Sequence, residues 1–289
     1  MWIVFACGSA LFAGITAVLA KEGIRTTDST VATALRTFVV LAGAWGMVLI
    51  VGSQAELAHL DARSAELLVL SGLATGASWL CYFKALQLGN VSKVVPIDKL
   101  STVLTVLLAL IFLGERVSLI GALGVVLITA GTLLMLDADD LRGLPRAVRD
   151  GGGWLLYALG SAFFAALTAI LGKAGITGVE SNLGTAIRTG VVLVMAWVMV
   201  AVTGKLREVR TVPRGELGFV LASGAATCAS WLCYYRALQD GPASVVVPID
   251  KLSVLVTVLF STLVLREVVG RRHLVGLTLL VSGTLAMLM

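Results

Sequence analysis

Long apolar runs alternate with short polar connections along the whole chain. Ten apolar segments occupy residues 2–20, 30–51, 66–88, 94–113, 118–136, 154–172, 182–203, 218–240, 246–265 and 270–288. Each has about the length that crosses a bilayer as a helix. Helices are favoured over strands because a helix satisfies its backbone hydrogen bonds within the segment, where no water is present. The pattern predicts an all-α membrane protein with ten transmembrane helices.

The second half of the chain repeats the first. The stretch from Ser78 to Thr105 returns as Ser230 to Thr257 with 19 of 28 positions identical, at an offset of 230 − 78 = 152 residues. The same offset places Arg36 on Arg188. A long fixed period indicates an internal duplication. We therefore expect a first five-helix repeat at residues 1–137, a linker at 138–153 and a second five-helix repeat at 154–289.

Five crossings per repeat is an odd number, so the second repeat should cross the membrane in the opposite sense to the first. Two inverted repeats are typical of secondary transporters. The face that receives the loops after odd-numbered spans holds fourteen Lys and Arg residues, counting those near the span ends, and the other face holds four. The positive-inside rule places the richer face in the cytoplasm and both chain termini outside.

Composition agrees with a lipid environment. Hydrophobic residues make up 58% of the chain, charged residues 13%, and the mean hydropathy is +0.98, against about 25% charged residues in soluble domains. The net charge of +5 is assigned to cytoplasmic loops, because no basic stretch is interleaved with aromatic residues as in nucleic-acid binding. His59 lies in a loop and His273 at the start of the last segment, and neither has a second ligand at helical spacing, so neither a metal site nor a cofactor is expected.

Charged residues inside the spans are the main functional candidates, because an ionisable group in the membrane is costly. They are Arg36, Asp98 and Lys99 in the first repeat, and Arg188, Asp250 and Lys251 in the second. Tyr82 is predicted at the depth of the first set, and Tyr234 at the depth of the second. We expect the two sets near opposite faces, with Arg36 paired to Asp98 and Arg188 paired to Asp250 as alternating gates. The alternative is that Asp98 and Lys99 lie among the headgroups.

Hydroxyl groups follow one face of two predicted spans. Ser71, Thr75, Ser78 and Tyr82 recur at steps of 4, 3 and 4, and Ser223, Thr227, Ser230 and Tyr234 repeat the pattern. With the charges, these stripes favour a solvated substrate cavity that includes Ser78 and Ser230; hydrogen bonding between packed helices is the alternative. Trp79 and Trp231 adjoin the stripes and are candidates for the cavity wall or for ordinary packing. Glycines such as Gly131 and Gly283 are interpreted as packing residues.

Several features resemble the EamA-type transporters of the drug/metabolite transporter superfamily. They are the five-plus-five plan, Pro96 and Pro248 early in the fourth span of each repeat, and the sequences Gly114-Glu115-Arg116 and Arg266-Glu267-Val268. The resemblance implies a bacterial inner-membrane carrier, often an exporter of amino acids or other small metabolites, with a cavity between the repeats. The Val-Val-Pro-Ile-Asp-Lys-Leu-Ser element is similar to that of single-repeat members, which implies that this chain is a fused pair.

The expected partner is a small-molecule substrate within membrane lipid, with no nucleic acid. Each charged cluster has two cationic groups and one anionic group, which favours anionic or zwitterionic solutes. Asp98 and Asp250 are the candidate proton sites if transport is proton-coupled. A monomer is expected to suffice, with a dimer as an alternative. An enzyme is not expected, since no carboxylate dyad and no His within a span accompanies these residues. A multidrug or cation efflux carrier and a lipid-linked sugar flippase stay open as alternatives.

Overall fold

The computed structural model describes residues 1–88, 94, 97–98, 100–135, 153–263 and 270–289. The described residues form eleven α-helices and two short 3₁₀ segments. The α-helices are α1 (Trp2–Gly23), α2 (Ser29–Val51), α3 (Ala62–Leu88), α4 (Ser101–Phe112), α5 (Leu119–Leu134), α6 (Gly153–Gly175), α7 (Ser181–Val202), α8 (Arg214–Asp240), α9 (Ala243–Lys251), α10 (Ser253–Leu263) and α11 (Arg271–Ala286). The 3₁₀ segments are Ser53–His59 and Lys205–Thr211.

Seven of the ten predicted spans are helical stretches long and apolar enough to cross a membrane. They are α1, α2, α3, α6, α7, α8 and the run from Ala243 to Phe260. That run comprises α9 and most of α10, which are separated by Leu252 alone. The other three predicted spans correspond to the shorter helices α4, α5 and α11, of 12, 16 and 16 residues. Pro96, Lys99, Arg266, Glu267 and linker residues 138–152 lie outside the described residues.

Polar caps and glycines explain where several helices begin and end. Asp28 caps α2 by accepting from the backbone N–H of Thr30 at 2.8 Å, and Glu180 caps α7 by accepting from that of Asn182 at 2.9 Å. These carboxylates satisfy N–H groups that have no partner inside the helix. Gly52 and Gly204 have φ values of 80° and 74°, a left-handed conformation that glycine adopts without a Cβ clash. They lead into the two 3₁₀ segments.

The first compact unit consists of Met1–Gly76, Leu171–Gly241 and Ile249–Arg266. In it α1 packs against α8 and α10, while α2 packs against α7 and α8. The closest approaches occur at glycines: a Cβ added at Gly224 would lie 2.8 Å from the carbonyl oxygen of Arg36. A buried cluster of Ala44, Val48, Leu183 and Ala186 fills the contact between α2 and α7. Helices of one sequence repeat therefore pack on helices of the other within this unit.

The second compact unit consists of Ala77–Ile170, Pro242–Pro248 and Glu267–Met289. Its main described contact joins α5 and α11. A Cβ added at Gly124 would lie 2.6 Å from the carbonyl oxygen of Gly283, and one added at Gly131 would lie 2.5 Å from that of Gly276. Small residues let two helix backbones approach closely in a membrane protein. The packing role predicted for these glycines is confirmed.

Candidate functional site

Arg188 is the most buried charged group among the described residues, with 2% of its surface exposed. It projects from α7 towards α3 and α8 in the first unit. Its Nη2 donates to Thr75 Oγ1 at 2.6 Å, and its Nε lies 3.4 Å from Ser71 Oγ. The guanidinium carbon is 5.0 Å from the ring centroid of Trp231 and 4.8 Å from that of Tyr235. Hydroxyl oxygens and aromatic faces therefore surround a buried cation.

Asp250 lies near the end of α9 and accepts a hydrogen bond from α1. Ser9 Oγ donates to Asp250 Oδ1 at 2.5 Å. Ser230 on α8 donates in turn to the backbone carbonyl of Ser9 at 3.1 Å. Ser9 and Ser230 are buried, so little water competes with their hydroxyls for these hydrogen bonds. We call Ser9, Ser230 and Asp250 the first triad.

An equivalent arrangement occurs in the second unit, at positions offset by 152 residues. Ser161 Oγ on α6 donates to Asp98 Oδ1 at 2.7 Å, and Ser78 on α3 donates to the backbone carbonyl of Ser161 at 3.0 Å. We call Ser78, Ser161 and Asp98 the second triad. In both triads the serine that donates to the carboxylate, Ser9 or Ser161, comes from one sequence repeat, and the other two residues come from the other repeat. The stripes predicted along α3 and α8 thus contribute Ser78 and Ser230, which hydrogen-bond to the backbone carbonyls of the serines that donate to the carboxylates.

Arg36 has a different environment from its sequence equivalent Arg188. It lines a cavity of about 180 Å³ within the first unit, which we call the Arg36 cavity. The lining residues are Ala20, Ile24, Ser29, Ala32, Thr33, Arg36, Val220 and Ser223. Among the described residues of this unit, the Arg36 guanidinium has no hydrogen-bond or ion-pair partner. Three hydroxyl side chains line the same space, so the cavity combines one cation with neutral hydrogen-bonding groups.

The predicted pairing of Arg188 with Asp250 is not formed among the described residues of the first unit. Arg188 donates to Thr75, while Asp250 accepts from Ser9. Serine and threonine hydroxyls are short, flexible donors and acceptors that reach these groups from neighbouring helices. Arg36 and Asp98 belong to different units, and their pairing stays a prediction.

The remaining predicted site residues are partly buried. Tyr82 packs against the buried cluster of Ala85, Val94, Ile97 and Ala158. Trp79 is half-buried one residue after Ser78. The ring centroid of Tyr234 lies 5.3 Å from that of Tyr235. Lys251 is the last residue of α9 and half-buried, whereas Lys99 lies outside the described residues.

Sequence reasoning missed three of these site residues: Ser9, Ser161 and Tyr235. Ser9 and Ser161 lie in mainly apolar helices, each followed seven residues later by a threonine, and the two serines occupy equivalent positions in the two repeats. That coincidence is the signal that could have identified them. Tyr235 is 1% exposed and stacks on Arg188; its equivalent in the first repeat is Phe83.

A fourth missed residue is Glu115, which the sequence marked only as part of a short motif. Its two carboxylate oxygens accept from the backbone N–H groups of Ala243 at 2.7 Å and Ser244 at 2.9 Å. These are the first two residues of α9, whose N–H groups have no partner inside the helix. Glu115 is therefore a capping residue for the helix that ends with Asp250 and Lys251.

Three comparisons relate this chain to known proteins. The model of the EamA-like transporter family matches residues 1–137 and 152–289. An uncharacterized transporter in the cobO 3′ region of Sinorhizobium sp. is 45% identical over 134 residues, which are 46% of this chain and 95% of that relative. The relative therefore has about the length of one repeat. A solved structure described only as "Crystal structure of protein" superimposes with a TM-score of 0.76 at 17% identity, covering 98% of this chain and 97% of that one. At that identity the likeness concerns the fold alone.

Proposed function

This chain belongs to the EamA-like transporter family and is a multi-pass membrane transporter, and we propose that it is a secondary active carrier of small metabolites. The proposed solutes are amino acids or organic anions, and the proposed direction is export across a bacterial inner membrane. In this proposal ten transmembrane helices form two inverted five-helix repeats, at residues 1–137 and 154–289. The linker at 138–153 joins them, and both termini lie outside.

Three contacts between loops support the inverted arrangement. Glu216 before the eighth predicted span accepts from Thr26 after the first span. Glu56 after the second span accepts from the backbone N–H of Glu180 after the sixth span at 3.0 Å. Glu115, between the fourth and fifth spans, caps α9 after the eighth span. If ten spans alternate in direction, each of these pairs of loops emerges on one face of the membrane, as a hydrogen bond between them requires.

The observation that carries the carrier mechanism is the contrast between Arg36 and Arg188. The two residues occupy equivalent positions in the repeats, yet Arg188 is sealed by hydroxyls and aromatic rings while Arg36 lines a cavity. Alternating access requires two related halves to adopt different conformations at any one moment. A cavity beside one arginine and close packing around its twin is the difference that this mechanism demands, with the roles exchanged when the protein opens towards the other face.

The proposed chemistry uses the charged clusters. Arg36 and Arg188 bind the anionic group of the solute, because a guanidinium presents a rigid fork of donors that matches a carboxylate. Asp98 and Asp250 are the proposed proton sites. The further substrate and gate residues proposed here are Ser78, Trp79, Tyr82, Lys99, Ser230, Trp231, Tyr234 and Lys251.

Solute flux into proteoliposomes tests this function. We expect saturable, counterflow-competent transport of an amino acid or organic acid in the absence of ATP. A thermal-shift screen over amino acids, organic acids, sugars and lipophilic cations would identify the solute class before the flux measurement. A requirement for ATP without an ion gradient would contradict the secondary mechanism. Stabilisation by lipophilic cations alone would favour a cation efflux carrier, and transport of a lipid-linked sugar would favour a flippase.

A further inference from the structure

A carboxylate ties the loop between α1 and α2 to the beginning of α8. Glu216 accepts hydrogen bonds from the backbone N–H and the hydroxyl of Thr26, at 3.1 and 2.7 Å, and from those of Thr27, at 2.8 and 2.6 Å. Beside it, Lys205 Nζ lies 2.5 Å from Asp28 Oδ2. We call these five residues the loop latch. Four donors on one carboxylate fix the position of the loop more firmly than a single surface hydrogen bond does.

The loop latch adjoins the Arg36 cavity on two sides. Glu216 precedes Val220 and Ser223 by about one and two helical turns, so the three residues share a face of α8. Val220 and Ser223 both line the cavity. Thr26 and Thr27 lie in sequence between two further lining residues, Ile24 and Ser29. The latch therefore joins the two chain segments between which Arg36 is enclosed.

The repeat fold does not require this latch, because four of the five equivalent positions lack its chemistry, and only Asp28 has an acidic counterpart, Glu180. Ser64 stands at the position equivalent to Glu216, and Ser53 at the position equivalent to Lys205. Gly178 and Val179 replace the two threonines and bring no hydroxyl. Ser53 Oγ is buried, and among the described residues it has no hydrogen-bond partner.

The equivalent end of the first unit contains a larger cavity than the Arg36 cavity. A cavity of about 300 Å³ lies among the residues at this end: Glu56, His59, Leu60, Asp61, Ser64, Thr177, Gly178 and Val179. Among the described residues, the loop after α2 and the loop after α6 are joined by one hydrogen bond, from the backbone N–H of Glu180 to Glu56 at 3.0 Å. The latch is thus a specific property of one end of the molecule, the end beside Arg36.

We propose that the Arg36 cavity binds a small carboxylate solute and that the loop latch controls its access. Binding of the solute does not depend on the proposed carrier function, but the role of this binding in transport rests on it. A volume of about 180 Å³ is below the range of about 300–1,000 Å³ typical of drug-sized pockets, so a solute with few heavy atoms fits. The guanidinium binds the carboxylate. Ser29 supplies a hydroxyl to the other polar groups of the solute, and Ser223, whose hydroxyl donates to the carbonyl of Val220 at 2.7 Å, can accept a hydrogen bond from them. Movement of the α1–α2 loop away from α8 requires release of the bonds to Glu216.

Thiol labelling of a cysteine placed in the cavity tests both parts of the proposal. The variant Ser29→Cys is made after Cys7, Cys81, Cys228 and Cys233 have been replaced, and labelling rates are measured in detergent. Acetate and L-alanine are the carboxylate probes, with chloride and methylammonium as ionic controls. We expect both carboxylates to slow labelling, Arg36→Gln to abolish this protection, and Arg36→Lys to retain part of it.

Substitution of the latch tests access separately. Glu216→Gln should raise the labelling rate of Ser29→Cys about tenfold, because loss of charged hydrogen bonds shifts a closed–open equilibrium by about that factor. Glu208→Gln is the matched control, since Glu208 is an exposed carboxylate in the neighbouring 3₁₀ segment. It should leave the rate unchanged. Equal rates in the wild-type background and in Glu216→Gln would overturn the latch.

The remaining outcomes are also decisive. No protection by either carboxylate, equal protection by chloride, or protection that persists in Arg36→Gln would overturn the carboxylate site. If the cysteine-free protein is unstable, the native-cysteine protein is used instead. Equilibrium binding of radiolabelled L-alanine is then compared among the wild type, Arg36→Lys and Arg36→Gln, with the same order of binding expected as for protection. Protection without flux of any solute would refute the carrier function and leave the cavity assignment intact. Carboxylate flux with an unchanged KM in Arg36→Gln would refute the role of the cavity in transport and leave the carrier function intact.

Discussion

Ser9 of the first sequence repeat donates a hydrogen bond of 2.5 Å to Asp250 of the second. The equivalent bond runs the opposite way between the repeats, from Ser161 to Asp98 at 2.7 Å. Each carboxylate therefore depends on a hydroxyl supplied by the other half of the sequence. A hydrogen bond to a charged group contributes about 1.5–3 kcal/mol. These contacts therefore hold α1 against the segment of Asp250 and α6 against the segment of Asp98, and they orient the two carboxylates.

Loss of either serine hydroxyl should destabilise the protein and disturb the triad. For Ser9→Ala and Ser161→Ala we expect a decrease in the free energy of unfolding of about 2 kcal/mol, measured by thermal or denaturant unfolding in detergent. Thr278→Ala is the control, because the Thr278 side chain is exposed and, within the described part of the chain, hydrogen-bonds its own helix backbone at Leu274. A decrease in Thr278→Ala as large as that in the serine variants would show that the triads contribute nothing specific.

The two carboxylates should be required for proton-driven transport. Asp98→Asn and Asp250→Asn keep the shape of the side chain but cannot exchange a proton at neutral pH. We expect proton-driven flux to be lost in each variant while counterflow of the solute is retained. Paired flux measurements with and without a pH gradient check this, and intact gradient-driven accumulation in both variants would remove the aspartates from the coupling role.

Arg188→Lys should weaken binding of an anionic solute although the positive charge is kept. A lysine ammonium lacks the planar fork and stacks poorly between the rings of Trp231 and Tyr235. We expect a higher KM for the anionic solute and a lower melting temperature. Arg25→Lys is the matched control, since the Arg25 side chain is 67% exposed. Wild-type KM and stability in Arg188→Lys would mean that charge alone suffices at this position.

Gly131→Ala should destabilise the contact between α5 and α11. The added methyl group would lie 2.5 Å from the carbonyl oxygen of Gly276, so the helix backbones must separate, at a cost of about 1–3 kcal/mol. The matched control is Gly46→Ala in α2, where an added Cβ meets no other atom within 4 Å. That change should be neutral or stabilising, because alanine favours a helix over glycine. The midpoint of unfolding should therefore fall in Gly131→Ala and stay unchanged or rise in Gly46→Ala.

The ion pair of Asp28 and Lys205 should stabilise the protein at neutral pH and lose this contribution at acidic pH. Burial acts to raise the pKa of Asp28, but hydrogen bonds from Lys205 and Thr30 and the charge of Lys205 hold it below its ordinary value of 3.8. A carboxyl whose pKa is depressed by folding contributes stability above the ordinary pKa and loses that contribution as pH falls through the folded value.

The melting temperature of Lys205→Gln should accordingly lie below that of the wild type near neutral pH, and the difference should shrink below about pH 4. Arg207→Gln, an exposed change of the same charge in the same 3₁₀ segment, should show no such convergence. A difference between wild type and Lys205→Gln that is constant with pH would contradict the assignment to Asp28.

The apolar pattern predicted ten spans, and seven of them are long helices among the described residues, because each of these runs is continuous and has the length of a membrane crossing. It placed the starts of α3 and α8 too late, since Arg63 and Arg214 interrupt the apolar pattern but do not prevent a helix. The offset of 152 residues identified Arg36 and Arg188 as twins, but an identical residue in two copies carries no information about which copy is sealed. That depends on Tyr235 and on the space beside Ser29, which are properties of packing between segments distant in the sequence.

Ser64 and Glu216 occupy the same place in the two copies of the duplicated unit, and only Glu216 closes a loop. Two identical polypeptides that assemble as an antiparallel pair have the same residue at both equivalent positions. A mutation that adds a latch at one end therefore adds it at the other end as well. Joining the copies in a single polypeptide removes that constraint. Each end can then accumulate its own substitutions, and one end can retain a carboxylate while the other loses it. A duplicated transporter of this kind can therefore evolve different barriers at its two ends and with them a preferred direction of release, a freedom that a symmetric pair does not have.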